Sequence, residues 1–323
     1  MFEPEPQLSE RPIRIGVSSC LLGHHVRFDG GHKRDHFVVD VLGPFVEFVP
    51  VCPEVEIGLS VPRPTLRLQR QGRRLRMVIS RSGEDVTGRM RSFARARVAR
   101  LARENLSGYV CKAGSPSCGM NCRTQTASGK PAPSAPGLFA AQLLHRLPDL
   151  PVAEERQLRD LRFRENWIQS VFAYHRLQQL WRSRWRTEDL VAFHTAHRFL
   201  LLAHSPQACR ELDRLLARAP GMPRAQLRAR YQSALMSALA KIATGDRHAE
   251  VLLRMLGLFQ DRLDRSSRRD LLDEIKRYRR GQVPLIVPVS VIKHYVRVLD
   301  VKELRAEVYL NPDPEELALR NHA

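Results

Sequence analysis

The sequence predicts an α/β domain on a mainly parallel sheet with helices on both faces, followed by an all-α domain. Up to about residue 155, short apolar runs alternate with segments of helical spacing. From Arg156 onward apolar residues recur at helical spacing almost without strand signals, and 323 residues are too many for one small core. The expected domains are residues 1–160 and 161–323, with the boundary near 150–165.

In chain order, residues 13–18, 46–51, 75–79 and 107–111 read as strands. Residues 32–42 and 85–106 carry helical spacing, with Ser or Asp near their starts as caps. The stretch 128–137, with Pro131, Pro133 and Pro136, is too rich in Pro, Gly and Ser for a regular element and is expected to be a mobile loop. A short helix over 138–146 completes the first domain. In the second half, Leu227, Tyr231, Leu235, Leu239 and Ile242 mark one helical face, and turns at 220–223, Gly245 and Gly281 separate several helices.

With 43% hydrophobic and 27% charged residues, the chain is expected to be a soluble globular protein rather than a disordered or fibrous one. Its formal charge of +19 favours polyanionic partners, although 46 Arg against seven Lys also reflects base composition. No run approaches the roughly 20 apolar residues that cross a bilayer: residues 199–203 are short, and 283–292 is interrupted by Pro284 and Pro288. Residues 1–10 are acidic and Pro-containing, unlike a secretory signal, so a cytoplasmic location without membrane attachment is expected. In a reducing compartment the six cysteines read as metal ligands, reactive thiols or buried small residues before disulfides.

Cys20, Cys52 and Cys118 each follow a predicted strand. In an open parallel sheet the carboxyl ends of strands share one edge, where ligands gather, so three thiols distant in sequence can meet in space. Structural zinc mostly uses ligands paired a few residues apart, which Cys20 and Cys52 lack. Cys118 and Cys122 stand four apart, a spacing that can clip a metal but matches no ferredoxin pattern. Burial as small apolar residues is the alternative for Cys20 and Cys52 and the main reading for Cys111 and Cys209. His194 and His197, three apart on a helix, read as a packed or exposed pair.

Four ordered motifs surround these thiols: Ser18-Ser19-Cys20-Leu21-Leu22-Gly23 with Val26-Arg27-Phe28-Asp29-Gly30-Gly31-His32-Lys33; Val51-Cys52-Pro53-Glu54; Gly58-Leu59-Ser60-Val61-Pro62-Arg63; and Gly114-Ser115-Pro116-Ser117-Cys118-Gly119. The set resembles the thiouracil desulfidase (TudS) family over nearly all of residues 13–160. The helical remainder, with Ala203-His204-Ser205-Pro206, resembles the YbgA-type domain, and the fusion resembles the RudS proteins that remove sulfur from 4-thiouridine in tRNA. The resemblance implies a 4Fe-4S cluster held by Cys20, Cys52 and Cys118, with one iron open as the active centre. Iron of this kind is a soft Lewis acid able to polarise a thiocarbonyl, so water replaces sulfur without net electron transfer.

Such a hydrolysis needs a proton acceptor for water, and Glu54, two residues from Cys52, is the candidate. Its other reading is a carboxylate favoured by a helix N-terminus. Ser115 or Ser117 can orient water or the base; Ser115 is the better match to the family's active-site hydroxyl. Asp29, His32, Lys33 and Arg63 receive no firm role, since turns, caps and salt bridges account for them nearly as well. Cys122 is a fourth thiolate that, placed near the cluster, would occupy the open iron.

In the helical half, Trp181-Arg182-Ser183-Arg184-Trp185-Arg186 combines aromatic surface with cations, as RNA-gripping segments do. Equally, Trp181 and Trp185 stand one turn apart and fit the core face of an amphipathic helix. Further basic clusters at 224–230, 265–269 and 276–280 fit RNA binding by phosphate contact. The expected activity is desulfuration of 4-thiouridine in tRNA to uridine and hydrogen sulfide, with no protein partner inferred. Free thiouracil or a thionucleotide as substrate is one alternative, and a non-enzymatic, metal-stabilised RNA-binding module is another.

Overall fold

The fold was obtained as a computed structural model, in which residues 12–72 and 74–311 are described; the acidic segment 1–10 lies outside them. The chain divides between Arg156 and Gln157 into two compact units. The α/β character of the first and the helical character of the second are as the sequence predicts.

The first unit holds β1 (Ile13–Ser18), β2 (Val46–Val51), β3 (Leu66–Gln71), β4 (Arg74–Ile79), β5 (Leu106–Cys111), β6 (Cys122–Thr126), β7 (Pro131–Ala135) and β8 (Val152–Glu154), with helices α1 (Pro53–Glu56), α2 (Thr87–Leu101) and α3 (Leu138–Arg146). One sheet has the order β2-β1-β5-β8, and every pairing in it is parallel. Its central strand β5, Leu-Ser-Gly-Tyr-Val-Cys, is buried at every position, the continuous burial that a covered parallel sheet imposes. Helices α2 and α3 pack on each other, and Phe139 of α3 meets Phe93 of α2 and the fully buried Tyr109 of β5. Gly16 lets this happen, because a Cβ there would lie 2.2 Å from the Tyr109 ring.

A second sheet, β4-β3-β6-β7, was not expected. It mixes an antiparallel β3–β4 hairpin, a parallel β3–β6 pair and an antiparallel β6–β7 pair. The stretch expected to be an irregular loop contains β7, which carries Pro131 and Pro133 because it is an edge strand, where a missing N–H leaves no ladder bond unmade. Of residues 32–42 only Phe37–Leu42 is helical, as a short π-helical turn.

The second unit contains α4 (Leu161–Arg182), α5 (Thr187–Ala196), α6 (Arg198–His204), α7 (Pro206–Ala217), α8 (Arg224–Leu239), α9 (Gly245–Gly257), α10 (Arg265–Arg279), α11 (Ile286–Val298) and α12 (Lys302–Arg305). Side chains set several starts: Asp160 accepts from Phe163 N before α4, Thr244 from Arg247 N before α9, and Asp264 from Ser266 N and Ser267 N before α10. Ser205 caps α7 by accepting from Ala208 N, and Pro206 follows at the first helical position, where its missing N–H costs nothing. No helix among the described residues is long and apolar enough to cross a membrane.

Glu307, 3% exposed, accepts from Phe199 N at 3.0 Å, and burial pushes its carboxyl up to about 8. Because the folded value lies above the ordinary one, its contribution is complete below about pH 4.5 and is lost as pH rises through about 8. Burial lowers His175 to about 4 and His197 to about 3, so their contributions are present above about pH 6.5 and fade only in acid. All three tryptophans, Trp167, Trp181 and Trp185, lie in this unit and report its unfolding. Between pH 6.5 and 8 the tryptophan-monitored stability should therefore fall, with a slope of at most roughly 1.4 kcal/mol per pH unit for one proton. Glu307→Gln should flatten that fall, and an unchanged slope would show that Glu307 is not its source.

Candidate active site

Ser18 lies opposite Val51 and Val17 opposite Val110, so β2, β1 and β5 end at one level. Just beyond those ends stand Cys20, Cys52 and Cys118, and all three line one cavity of about 420 Å³ together with Glu54, Ser115 and Ser117. The sequence-derived candidates are thus brought together.

Each thiol is positioned by a different local device. Cys20 sits in a 3-10 turn, Ser19–Leu22, stopped by Gly23 in the left-handed region, and its carbonyl accepts from Lys33 N. Cys52 precedes α1, with Pro53 at the first helical position, while the Glu56 carboxylate accepts from Cys52 N at 3.0 Å. Cys118 rides the loop between β5 and β6. There Ala113 N donates to Glu155 Oε2 at 2.6 Å, and Met120 N donates to Glu154 Oε1 at 2.7 Å. Two buried carboxylates at the end of β8 therefore hold both ends of the loop. Its middle is set by close packing: a Cβ on Gly137 would lie 2.5 Å from Ser117 O, and one on Gly119 would lie 2.7 Å from Cys122 Sγ.

Glu54 is fixed from two sides. Arg63, its side chain 4% exposed, donates to Oε2 from Nε at 3.0 Å and from Nη2 at 2.6 Å. The same guanidinium also reaches Val26 O and Ser60 O. Ser117 Oγ donates to Glu54 Oε1 at 2.7 Å, whereas Ser115 Oγ stands 3.4 Å from that oxygen and 2.9 Å from Ser117 Oγ. Ser117 is thus the nearer hydroxyl, although Ser115 was the better motif match. Arg63, left without a role by its sequence, is the clamp on the carboxylate. The mouth adds Arg27, Phe28 and Lys33, and Lys112 lines the wall while paired with Glu155.

The donor set fits a metal-sulfur group. Burial pushes the Cys20 thiol up to about 11 and raises Cys52 and Cys118 as well, so thiolates at this edge need a cationic partner. Cys52 Sγ stands 3.9 Å from Val26 O and Cys118 Sγ 3.8 Å from Ser117 Oγ, with Ser18 also beside Cys118 and the Glu54 and Val55 backbone beside Cys52. Cys122 differs, donating to Ser115 O at 2.9 Å and to Gly119 O at 3.4 Å, and it does not line the cavity. The fourth thiol staples the loop instead of competing for the site.

Among the described residues, the group whose three ligand atoms lie within 4.8 Å of one another is His194, Cys209 and Asp213 in the helical unit. Cys20, Cys52 and Cys118 do not form such a group. The helical trio is already engaged: Arg198 holds both Asp213 oxygens, and His194 meets Asp213 at one ring nitrogen and Tyr231 OH at the other. Trp181 and Trp185 are 6% and 5% exposed, so they belong to the core, and Trp181 Nε1 donates to Gln232 Oε1.

Fold and cavity together define a parallel-sheet protein with a cysteine-lined site at its strand ends. Residues 15–155 match the family model for 2-thiouracil desulfurase, and residues 198–314 match that for a protein of unknown function (DUF1722). The uncharacterized protein YbgA of Escherichia coli (strain K12) is 27% identical over 161 residues, covering 50% of this chain and 95% of that protein. The uncharacterized protein YbbK of Bacillus subtilis (strain 168) is 33% identical over 110 residues, covering 32% of this chain and 72% of that one. The solved 4Fe-4S-dependent thiouracil desulfidase TudS is 34% identical, covers 46% of this chain and 95% of its own, and superposes with a TM-score of 0.38. Through its first unit the chain belongs to the 2-thiouracil desulfurase family.

The tight seat of Gly137 makes a direct expectation. Gly137→Ala should push Ser117 and the loop outward, lowering the stability of the first unit by about 1–3 kcal/mol. Circular-dichroism unfolding checks this, and an unaltered transition would show that the loop accommodates the methyl group.

Proposed function

We propose that this protein is an iron-sulfur-dependent desulfidase that converts 4-thiouridine in tRNA to uridine, releasing hydrogen sulfide. The observation that carries the chemistry is the convergence of Cys20, Cys52 and Cys118 on one cavity whose wall holds Glu54 between Arg63 and Ser117. Membership of the 2-thiouracil desulfurase family and the TudS relative's 4Fe-4S dependence support the same reading.

The three cysteines would hold the cluster, and when bound it supplies a soft Lewis acid for the thiocarbonyl sulfur. The reaction is a balanced hydrolysis, in which the carbon–sulfur double bond and water become a carbonyl and hydrogen sulfide. Glu54 takes a proton from water at Oε1, while Arg63 occupies Oε2 and so fixes which oxygen faces the reaction. Ser117, with Ser115 behind it, orients water toward that oxygen. Cys122, spent on Ser115 O, stays out of the cavity and would not serve as a ligand.

The choice of tRNA over free thiouracil rests on the +19 charge and on the appended helical unit, which would hold the RNA body. A 4-thiouridine within tRNA must leave its stack to reach a cavity of this size. Anaerobically reconstituted protein should lower 4-thiouridine and raise uridine in treated tRNA by nucleoside mass analysis. Preference for free thiouracil would move the substrate to the free base, and stoichiometric zinc without acid-labile sulfide would remove the catalytic cluster.

Residue roles separate cleanly. Serine at position 20, 52 or 118 should abolish iron and acid-labile sulfide binding, whereas Cys122→Ser, which keeps a donor to Ser115 O, should retain both. Glu54→Gln should keep the cluster yet lose about 10²-fold or more in turnover. Near-normal turnover in that variant would exclude Glu54 as the base.

A further inference from the structure

We infer that Arg224 and Arg228, laid against the buried indoles of Trp185 and Trp181, form a station for the sugar–phosphate backbone of an RNA. This rests on the tRNA reading above and specifies which surface of the helical unit meets the polyanion.

The guanidinium of Arg224 lies 4.5 Å from the Trp185 ring centre and donates to Trp185 O, and that of Arg228 lies 5.7 Å from the Trp181 ring centre. Stacking on a fixed aromatic face orders a long cation while leaving N–H edges for phosphate oxygens. Both arginines are exposed and stand one turn apart on α8, about 5–6 Å between Cβ atoms. Between them and Gln232 lies a shallow groove of about 390 Å³, its helical face lowered by Ala225 and Ala229.

Charge separates this groove from the other basic clusters. On α10, Lys276 pairs with Asp273, Arg277 with Glu274, Arg279 with Asp246, and Arg269 lies 3.9 Å from Asp273. The segments that build the groove, 166–187 and 214–245, contain no Asp or Glu at all. Among the described residues neither Arg224 nor Arg228 forms an ion pair, so their field is not cancelled locally. Trp185 lines the groove but is 5% exposed and lies under Arg224, so what the groove offers a ligand is chiefly cations. Recognition there is of backbone phosphate and not of base identity.

The test uses the full chain and a tRNA carrying 4-thiouridine, with binding measured by fluorescence anisotropy at several salt concentrations. Arg224→Gln with Arg228→Gln should weaken binding at least about tenfold and reduce the salt slope by roughly 2, near 0.9 per phosphate contact. Turnover of free 4-thiouridine should be unchanged. Arg269→Gln with Arg277→Gln removes the same charge from α10 and should have a much smaller effect. Arg224→Glu with Arg228→Glu gives a second, stronger reading should the first pair perturb folding, which tryptophan fluorescence monitors.

Equal weakening by the α8 and α10 pairs would overturn the assignment, as would loss of binding to phosphatidylglycerol vesicles with tRNA binding intact. If the wild type desulfurates thiolated tRNA while the α8 variants bind normally, the station is wrong and the activity stands. If tRNA binding depends on the α8 arginines but no thiolated substrate reacts, the station stands and the activity is wrong.

Discussion

Three thiols and one carboxylate are wholly or partly withdrawn from solvent where parallel strands run out, and their neighbours answer the cost of keeping them there. Desolvation disfavours charge on the three thiols, and a charged group in such a place needs a compensating neighbour. Glu54 has one in Arg63, whose side chain is itself nearly inaccessible. Removing the guanidinium would leave a buried carboxylate with only serine hydroxyls to answer it. The thiols have no ion pair of that kind: Lys112, on the wall, is held by Glu155 and Ala113 O, and its charge and that of Arg27 offset only part of the burial that raises Cys20. Burial outweighs these charges and raises all three thiols, so a positive inorganic group would be the stronger partner for their thiolates.

The same constraint explains why the loop from Ala113 to Cys122 is built so tightly. A thiol on a loose loop would average over positions, whereas this loop fixes Cys118 at one. Glu154 and Glu155 take the N–H groups at its two ends, Gly119 and Gly137 allow backbone approaches that any side chain would block, and Cys122 Sγ holds Ser115 O from inside. Ser117, fully buried, extends this framework to Glu54, so loop and carboxylate are positioned as one hydrogen-bonded unit.

What the sequence disclosed follows the same physics. Parallel strands buried on both faces are largely apolar runs, which made β1 and β5 legible; β2, at the sheet edge and half-exposed, showed itself through its valines and phenylalanine, and the meeting of Cys20, Cys52 and Cys118 followed from the three strand ends. The second sheet was not legible, because Leu-Arg-Leu-Gln-Arg-Gln of β3 and Pro-Ala-Pro-Ser-Ala of β7 are half-exposed or at an edge and carry little hydrophobic signal. The Arg63–Glu54 clamp was hidden because its partners are nine residues apart across a turn, a spacing with no helical or strand meaning. Ser117 and Ser115 could not be ranked without the direction of their Oγ atoms. For Trp181 and Trp185 the sequence was ambiguous in principle, since a stacking platform and a core stripe share one-turn spacing. Burial decides for the core.

Net charge is a poorer guide than its distribution. Many of the 53 basic residues already have acidic partners: Arg63 and Lys112 at the cavity, Arg198 on Asp213, and most of the cations along α10. Such pairs add little to the field felt by an approaching polyanion, because each presents a dipole instead of a charge. Cations in acid-free stretches keep their full effect, and those ordered on an aromatic ring lose less freedom when a phosphate arrives. Arg224 and Arg228 meet both conditions, so what they would present to a polyanion is set by their surroundings more than by the total charge.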